Sequence, residues 1–240
     1  MRARQRHLNA KAAGAVLVLD ARYITGLSNL AVLTTWSDRS GNGYNMTQST
    51  AGRQPLYKND DPAMNPKVTF DGSNDFLQTS TALDWTAFVT VVKTSTTATQ
   101  RSLMGAANST GVVGAYYIKI GSPARTTGWE RYNTSGGGCS ATDGVLPSGS
   151  TAIWSGSRSN TALKVAVNGS WGTETTHSSV VSSVSGNSFL GSDWYGGTNS
   201  TYWPGEVSMV LGMTTATRPE DSLMKRLHHH AAYSYKVACS

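Results

Sequence analysis

Charged residues are scarce in this 240-residue chain, because Asp, Glu, Lys and Arg together make up only 14% of it. Surface helices usually carry a charged outer face, so this scarcity argues against an all-α fold. The 25 glycines and the abundant Ser and Thr instead favour many short strands joined by polar turns. We therefore predict an all-β protein, and the chain length fits a single β-sandwich.

Cysteine is also rare, with Cys139 and Cys239 as the two in the chain. They are far apart in sequence and form no CxxC or Cys/His pattern, so they predict no metal site. Whether they pair depends on a Cα separation below about 7 Å, which the sequence leaves open. No apolar run reaches the roughly 18 residues of a membrane-spanning helix, so we expect no membrane insertion.

A signal peptide is one interpretation of the first twenty residues. A basic stretch precedes the apolar run 12–19, which is the order found in such leaders. The run is short, however, and it places Leu19 where a cleavage after Ala21 needs a small residue. A buried first strand is therefore the favoured interpretation, and we expect a protein without a signal peptide.

Catalytic patterns are missing as well. A glycan-cleaving enzyme needs two carboxylates a few ångströms apart, whereas Glu130, Glu174 and Glu206 each stand alone. The stretch 191–193 does not form a Gly-x-Ser-x-Gly nucleophile motif. The three consecutive histidines at 228–230 would point about 100° apart on a helix and could not converge on one ion. We predict no enzyme activity, no catalytic residue and no metal site.

Calcium is the one cofactor that the sequence leaves open. Residues 71–75 present oxygen ligands at alternating positions, as the start of a calcium loop does. The glutamate that closes such a loop is missing, because Ala82 occupies its position. A turn between strands is the favoured interpretation, so we expect no cofactor.

The net charge is +6, from 20 Lys and Arg against 14 Asp and Glu. Four of these cations lie in the first eleven residues, where there is no acid: Arg2, Arg4, Arg6 and Lys11. This concentration predicts a basic N-terminal arm, residues 1–14, that docks on protein partners in a larger assembly. In the rest of the chain basic residues are not interleaved with stacking aromatics, so we do not expect nucleic acid as a partner.

Strand-like runs recur through residues 15–240, which we interpret as one domain. These runs are 15–20, 67–70, 88–93, 115–120, 151–154, 163–168, 188–191 and 206–212. A helix is predicted to end the chain, because Thr217 and Glu220 form a capping-box pattern. Its apolar stripe, at helical spacing, is Leu223, Leu227 and Ala231, flanked by Met224 and Tyr233.

The order of these segments resembles the concanavalin A-like and laminin G-like modules. The segments that carry the resemblance over residues 16–233 include Val18-Leu19-Asp20-Ala21, Thr35-Trp36-Ser37-Asp38-Arg39-Ser40-Gly41-Asn42-Gly43, Val68-Thr69-Phe70-Asp71-Gly72-Ser73-Asn74-Asp75-Phe76-Leu77, Val165-Ala166-Val167-Asn168-Gly169 and Pro204-Gly205-Glu206-Val207. The shorter segments 53–55, 88–92, 103–105 and 189–192 and the closing helix follow the same order. The resemblance implies a jelly roll of two curved antiparallel sheets, with buried Trp36, Phe70, Phe76 and Leu77. Such modules are common in phage virion and bacterial surface proteins as attachment or glycan-binding units.

The stretch 193–203 has the composition of a binding loop. Aromatic faces pack against sugar rings, and Asp and Asn side chains exchange hydrogen bonds with hydroxyls. The predicted ligand-binding residues in this stretch are Asp193, Trp194, Tyr195, Asn199, Tyr202 and Trp203. Trp129 and Tyr132 could form a second lip. In the alternative interpretation, Trp194 and Trp203 only cap the end of the sandwich.

We interpret the chain as a non-enzymatic, lectin-like binding or attachment module. In the leading hypothesis it is a phage virion protein, a capsid decoration or a fibre, that is made in the host cytoplasm and anchored in an extracellular assembly through the basic arm. A free carbohydrate-binding lectin that uses the aromatic loop is the first alternative. A glycan-cleaving enzyme is the second, since fold resemblance alone does not fix function.

Overall fold

A computed structural model describes residues 14–60, 66–95, 100–108, 111–121, 126–132, 138–159, 161–176, 184, 186–195, 198–215 and 219–238. Over these residues the chain forms two antiparallel sheets packed face to face, a small hairpin and a C-terminal helix. The predicted all-β sandwich with a terminal helix is therefore confirmed. The arm residues Arg2, Arg4, Arg6 and Lys11 lie outside the described residues, as do Thr217 and Cys239.

The first sheet, here called the helix-side sheet, has nine strands among the described residues. They are β1 (Ala15–Asp20), β4 (Leu56–Lys58), β5 (Lys67–Asp71), β7 (Ala87–Thr94), β12 (Ala152–Arg158), β13 (Ala162–Val167), β14 (Ser170–Trp171), β15 (Thr175–Thr176) and β19 (Pro204–Met213). The order is β14-β13-β12-β7-β19-β5-β4, with β1 also paired to β19 and β15 to β13. Strand β5 pairs with residues 204–207 of β19, and β1 pairs with residues 209–213 of the same strand.

The second sheet, here called the hairpin-side sheet, has eight strands among the described residues. They are β2 (Thr35–Trp36), β3 (Met46–Thr47), β6 (Leu77–Thr79), β8 (Arg101–Asn108), β9 (Gly111–Gly121), β10 (Thr126–Tyr132), β11 (Gly138–Val145) and β16 (Asn187–Leu190). Their order is β11-β10-β9-β8-β16-β6-β3-β2. The separate hairpin of β17 (Asp193–Tyr195) and β18 (Thr198–Ser200) packs against β8.

The main core fills the space between the two sheets. The four residues that the resemblance predicted to be buried are at most 5% exposed, which confirms that prediction: Trp36, Phe70, Phe76 and Leu77. Strand β7 is buried on both faces, because Phe88 and Val92 face this core while Val89 and Val91 face the helix. Burial on both faces explains why β7 reads as a continuous apolar run instead of an alternating one.

Gly156 of β12 makes room for two aromatic rings in the main core. A Cβ atom at this position would lie 2.5 Å from Cε1 of Phe88 and 2.9 Å from Cε3 of Trp129. The two rings themselves meet edge to face, with centroids 5.3 Å apart, which is a favourable aromatic geometry. A glycine is therefore required for the close approach of the rings to the strand.

Helix α1 (Asp221–Tyr235) packs on β7 and β12, on the outer face of the helix-side sheet. Glu220 is its N-cap residue and makes no side-chain capping bond, so the helix begins later than the capping-box pattern predicted. Met224, Leu227 and Ala231 are buried, whereas Tyr233 is 74% exposed and does not flank the core. Among the described residues, no helix is long and apolar enough to cross a membrane.

Candidate functional site

The predicted binding loop forms the hairpin of β17 and β18 and the residues that follow it. Asp193 is buried at the start of β17, where its Oδ2 accepts hydrogen bonds from Ser102 Oγ at 2.9 Å and from Thr201 Oγ1 at 2.6 Å. Buried carboxylates require such partners. The carboxylate thus anchors the hairpin to β8, and the prediction that Asp193 contacts a ligand is corrected.

Trp203 and Trp129 are fully buried, so the predicted surface contacts of both residues are wrong. Both indoles belong to the main core. On β10 successive side chains alternate between the faces, so Trp129 points inward and Glu130 outward. Trp203 is therefore a packing residue, as in the alternative interpretation. Its contribution to the aromatic composition of residues 193–203 comes from the core and not from the surface.

The described geometry does not test whether the remaining predicted residues contact a ligand. The structure describes the strand positions of Trp194, Tyr195, Asn199 and Tyr132 but not their side chains, so their predicted role stays a prediction. Tyr202 is half-buried beside the hairpin.

Residues 71–75 form a closed turn after β5. Asp71 Oδ1 accepts the backbone N–H groups of Ser73, Asn74 and Asp75 at 2.8, 3.1 and 3.2 Å. Asp75 is buried, and burial raises the pKa of its carboxyl to about 6. Among the described residues, no group of three His, Cys, Asp or Glu side chains could hold a metal ion. The oxygen atoms of Asp71 are thus used to close the turn.

The three neighbouring histidines have different surroundings. His228 is 3% exposed and its Nδ1 lies 3.2 Å from Ser155 Oγ, whereas His229 is exposed. Burial, with a smaller contribution from His229, lowers the pKa of His228 to about 4. His228 is therefore a neutral packing residue at physiological pH.

A cleft of about 490 Å³ opens on the outer face of the helix-side sheet, beside the end of α1. We call it the lysine cleft. Its polar lining comes from five separate parts of the chain: Lys67, Lys93, Ser150, Thr151, Glu206, Ser208, Tyr235 and Lys236. Its volume lies in the range of ligand pockets, roughly 300–1,000 Å³.

Strand pairing brings the charged side chains of this cleft together. Glu206 of β19 lies directly opposite Lys93 of β7, and Lys58 of β4 lies opposite Lys67 of β5. The neighbouring residues Val68, Val92 and Val207 face the core. Because successive side chains of a strand point to opposite faces, the charged residues share the outer face.

Glu206 is the centre of the charged group. Its carboxylate oxygens lie 3.9 Å from Lys58 Nζ, 3.8 Å from Lys67 Nζ and 3.9 Å from Lys93 Nζ. Lys67 Nζ also lies 3.7 Å from Oδ1 of Asp60. In the sequence Glu206 stands alone and its lysine neighbours were not predicted, although the alternation of residues 67–70 indicates that Lys67 leaves the core.

The far end of the cleft is fixed by Tyr235. Its hydroxyl donates to Asp20 Oδ1 at 2.7 Å and also lies 3.1 Å from the carbonyl oxygen of Ser208. The same Asp20 carboxylate is paired with Arg22 at 2.5 Å. Burial raises the pKa of Tyr235, so the hydroxyl stays protonated. This network ties the last turn of α1 to β1 and sets the position of the cleft wall.

No family model matches the chain, and no curated protein matches it. Solved structures with the same fold include the receptor-binding domain of botulinum neurotoxin type G, at 12% identity and a TM-score of 0.63 over 90% of this chain. This chain spans about half of that domain, 51%. A second is domain 4 of AbnA, a GH43 extracellular arabinanase from Geobacillus stearothermophilus, in complex with arabinotriose. It has 14% identity and a TM-score of 0.60, with coverage of 89% of this chain and 98% of the other.

A third similar structure is the CBM40 of the Ruminococcus gnavus IT-sialidase bound to α2,3 sialyllactose. It has 18% identity and a TM-score of 0.50, with coverage of 60% of this chain and 83% of the other. These similarities support the lectin-like β-sandwich fold that the sequence predicted. At such identities they describe the fold alone, and function has to be argued from the site.

Proposed function

We propose that the chain is a non-catalytic, lectin-like module that binds carbohydrate in the lysine cleft. The observation that carries this proposal is the lining of the cleft by hydroxyl, ammonium and carboxylate groups of Ser150, Thr151, Lys93 and Glu206. These groups donate and accept the hydrogen bonds that a polyhydroxylated ligand requires. The cleft is open to solvent on the outer face of a rigid sheet, where an oligosaccharide could enter.

The fold makes this ligand class worth testing first. Among the similar structures, the arabinanase domain is in complex with arabinotriose and the CBM40 is bound to sialyllactose. The ligand-binding domain of botulinum neurotoxin serotype D, at 10% identity and a TM-score of 0.57, is in complex with N-acetylneuraminic acid. Carbohydrate binding by this chain is nevertheless inferred from its own cleft.

The contacts of three acidic side chains support binding without catalysis. Glu130 is paired with Lys119 at 2.8 Å, Glu206 is surrounded by lysines, and Asp193 is used by the hairpin. A glycosidase would need one of two facing carboxyl groups to act as an acid and the other as a base or nucleophile. We expect no release of reducing sugar when the protein is incubated with the glycans that it binds, and turnover would contradict this part of the proposal.

An array of neutral and acidic oligosaccharides tests the proposal. We expect wild-type protein to bind members of the array, and Ser150→Trp to abolish that binding, because an indole at this exposed position would fill the cleft. Ser49→Trp is the matched control, since Ser49 is exposed and does not line the cleft. Loss of binding with Trp194→Ala but not with Ser150→Trp would move the site to the hairpin and contradict the proposal.

We also propose that the module is attached to a larger assembly, such as a phage virion, through its basic arm. The supporting observation is the set of four cations without an acid: Arg2, Arg4, Arg6 and Lys11. Deletion of residues 1–14 should abolish incorporation into particles and leave the circular dichroism spectrum of the β-sandwich unchanged. Normal incorporation of the truncated protein would contradict this role.

A further inference from the structure

We infer that the carbohydrate taken by the lysine cleft is acidic, carrying a carboxylate or a sulfate group. This inference rests on the proposed function and narrows its ligand class.

The ammonium groups of the cleft lack short contacts with a carboxylate. The distances from Glu206 to the three lysines are 3.8–3.9 Å, whereas a charge-assisted hydrogen bond measures about 2.7–2.9 Å. Within the part of the chain that the structure describes, none of these three ammonium groups reaches a carboxylate more closely than 3.7 Å. Their N–H donors therefore remain available to a ligand.

Other lysines of the same protein make close pairs. Lys119 lies 2.8 Å from Glu130, and Lys164 lies 2.7 Å from Asp221. Both distances are those of a charge-assisted hydrogen bond. In the cleft, by contrast, three cations share Glu206, and its carboxylate makes no short bond to any of them. The long distances are thus a property of the cleft.

Lys67 makes the strongest case for an anion. Its side chain is only 11% exposed, and a largely buried ammonium group is costly unless it is both paired and hydrogen-bonded. Its two carboxylate neighbours, Asp60 and Glu206, lie at 3.7 and 3.8 Å. A ligand carboxylate or sulfate between Lys67 and Lys93 would supply the missing hydrogen bonds.

The charge balance of the cleft is positive. Among the described residues, three lysines meet around two carboxylates in the cleft: Lys58, Lys67 and Lys93 around Asp60 and Glu206. Asp60 is half exposed and therefore well screened by water. The local excess of positive charge favours an anionic ligand over a neutral one.

The lining favours an acidic saccharide over a nucleic acid or a free inorganic ion. Ser150, Thr151 and Ser208 surround the ammonium groups with hydroxyls, which match the ring hydroxyls of a sugar. Single-stranded nucleic acids need exposed aromatic faces on which bases stack. Tyr235 is the aromatic residue lining the described cleft, and it is buried with its hydroxyl already engaged.

Isothermal titration with matched acidic and neutral sugars tests the inference. The pairs are 3′-sialyllactose with lactose, and trigalacturonate with its methyl ester; inorganic sulfate and a poly-dT oligonucleotide are separate arms. We expect at least one acidic member to bind about tenfold more tightly than its neutral partner, the size of a charged hydrogen bond gained or lost. Lys93→Gln should remove this preference, and the exposed Lys225→Gln is the control that should keep it.

The variant Glu206→Gln should change the affinity for an acidic sugar in the direction opposite to Lys93→Gln. Removing the internal carboxylate frees the lysines from a competing anion, so we expect affinity for the acidic sugar to rise at least about threefold. A melting curve with and without sugar shows whether the Lys93 and Glu206 variants still fold and still respond to ligand.

Three results would overturn the inference in different ways. Equal affinity for neutral and acidic partners, both lost in Ser150→Trp, would contradict the acidic ligand and leave the carbohydrate proposal standing. Binding of sulfate or poly-dT without binding of any sugar would contradict both. Acidic-sugar binding that survives Lys93→Gln unchanged would place the anion elsewhere and contradict the cleft.

Discussion

His228 illustrates how burial controls a single titratable residue in this protein. Its imidazole lies between α1 and β12 with 3% exposure, and its pKa is lowered from 6.5 to about 4 by burial. Between these values the unfolded chain binds a proton that the folded chain does not. The free energy of unfolding must therefore fall as the pH is lowered from about 6.5 to about 4.

The variant His228→Gln should lack this loss of stability. We expect the wild type to lose stability relative to His228→Gln as the pH falls through this window, measured by urea unfolding at several pH values. His229→Gln, at an exposed position, should keep most of the wild-type slope, because His229 makes only the smaller contribution to the lowered pKa of His228. Parallel pH profiles for wild type and His228→Gln would contradict the buried, neutral state of His228.

Asp75 affects stability in nearly the same pH range but with the opposite sign. Its pKa is raised from 3.8 to about 6, so between these pH values the folded chain binds a proton that the unfolded chain does not. The free energy of unfolding therefore falls as the pH rises towards and through about 6. The opposing effects of His228 and Asp75 both contribute to the pH dependence of the free energy of unfolding of the wild type. The comparison of variants, and not the wild-type profile alone, therefore isolates His228.

At the scale of elements, strand β12 depends on the absence of a side chain at Gly156. An added methyl group would press on Phe88 and Trp129, and both rings are fully buried. We expect Gly156→Ala to lower the free energy of unfolding by about 1–3 kcal/mol, as overpacking of a core does. Denaturant unfolding measures this loss.

A double-mutant cycle gives the control for this prediction. In a Phe88→Leu background the closer of the two rings is absent and the contact with Trp129 at 2.9 Å remains, so the same Gly156→Ala substitution should cost less. An equal loss in the free energy of unfolding in the two backgrounds would show that contact with Phe88 does not cause the destabilisation by Gly156→Ala.

The strands that sequence could predict are those that bury continuous apolar surface. All eight predicted runs lie in or overlap strands, and the prediction for β1 had the observed bounds. Strands β8, β10 and β11 of the hairpin-side sheet were not predicted, because segments such as Gly138–Val145 are rich in Gly, Ser and Thr and lack an apolar pattern. Their pairing with neighbours stabilises them where local composition does not.

The candidate site was predictable only in part for a related reason. The aromatic residues in 193–203 predicted a binding surface, yet Trp203 belongs to the core. Composition alone does not distinguish a buried aromatic residue from an exposed one. Lys58, Lys93 and Glu206 are far apart in sequence, and only the pairing of β4, β5, β7 and β19 brings them together.

At the scale of the whole molecule, the two sheets have differently covered outer faces. Helix α1 covers the helix-side sheet over β7 and β12, and the lysine cleft opens beyond its last turn, over β5 and β19. The hairpin of β17 and β18 lies on the other sheet. The protein thus has two separate candidate surfaces, and our account assigns ligand binding to the first.

Backbone amide chemical-shift mapping during titration with a sugar selected by the array is the most direct test of that assignment. We expect the largest shifts at residues 149–151, Lys93, Ser208 and Lys236, which border the lysine cleft. Largest shifts at residues 193–203 instead, with the cleft residues unmoved, would contradict carbohydrate binding in the lysine cleft.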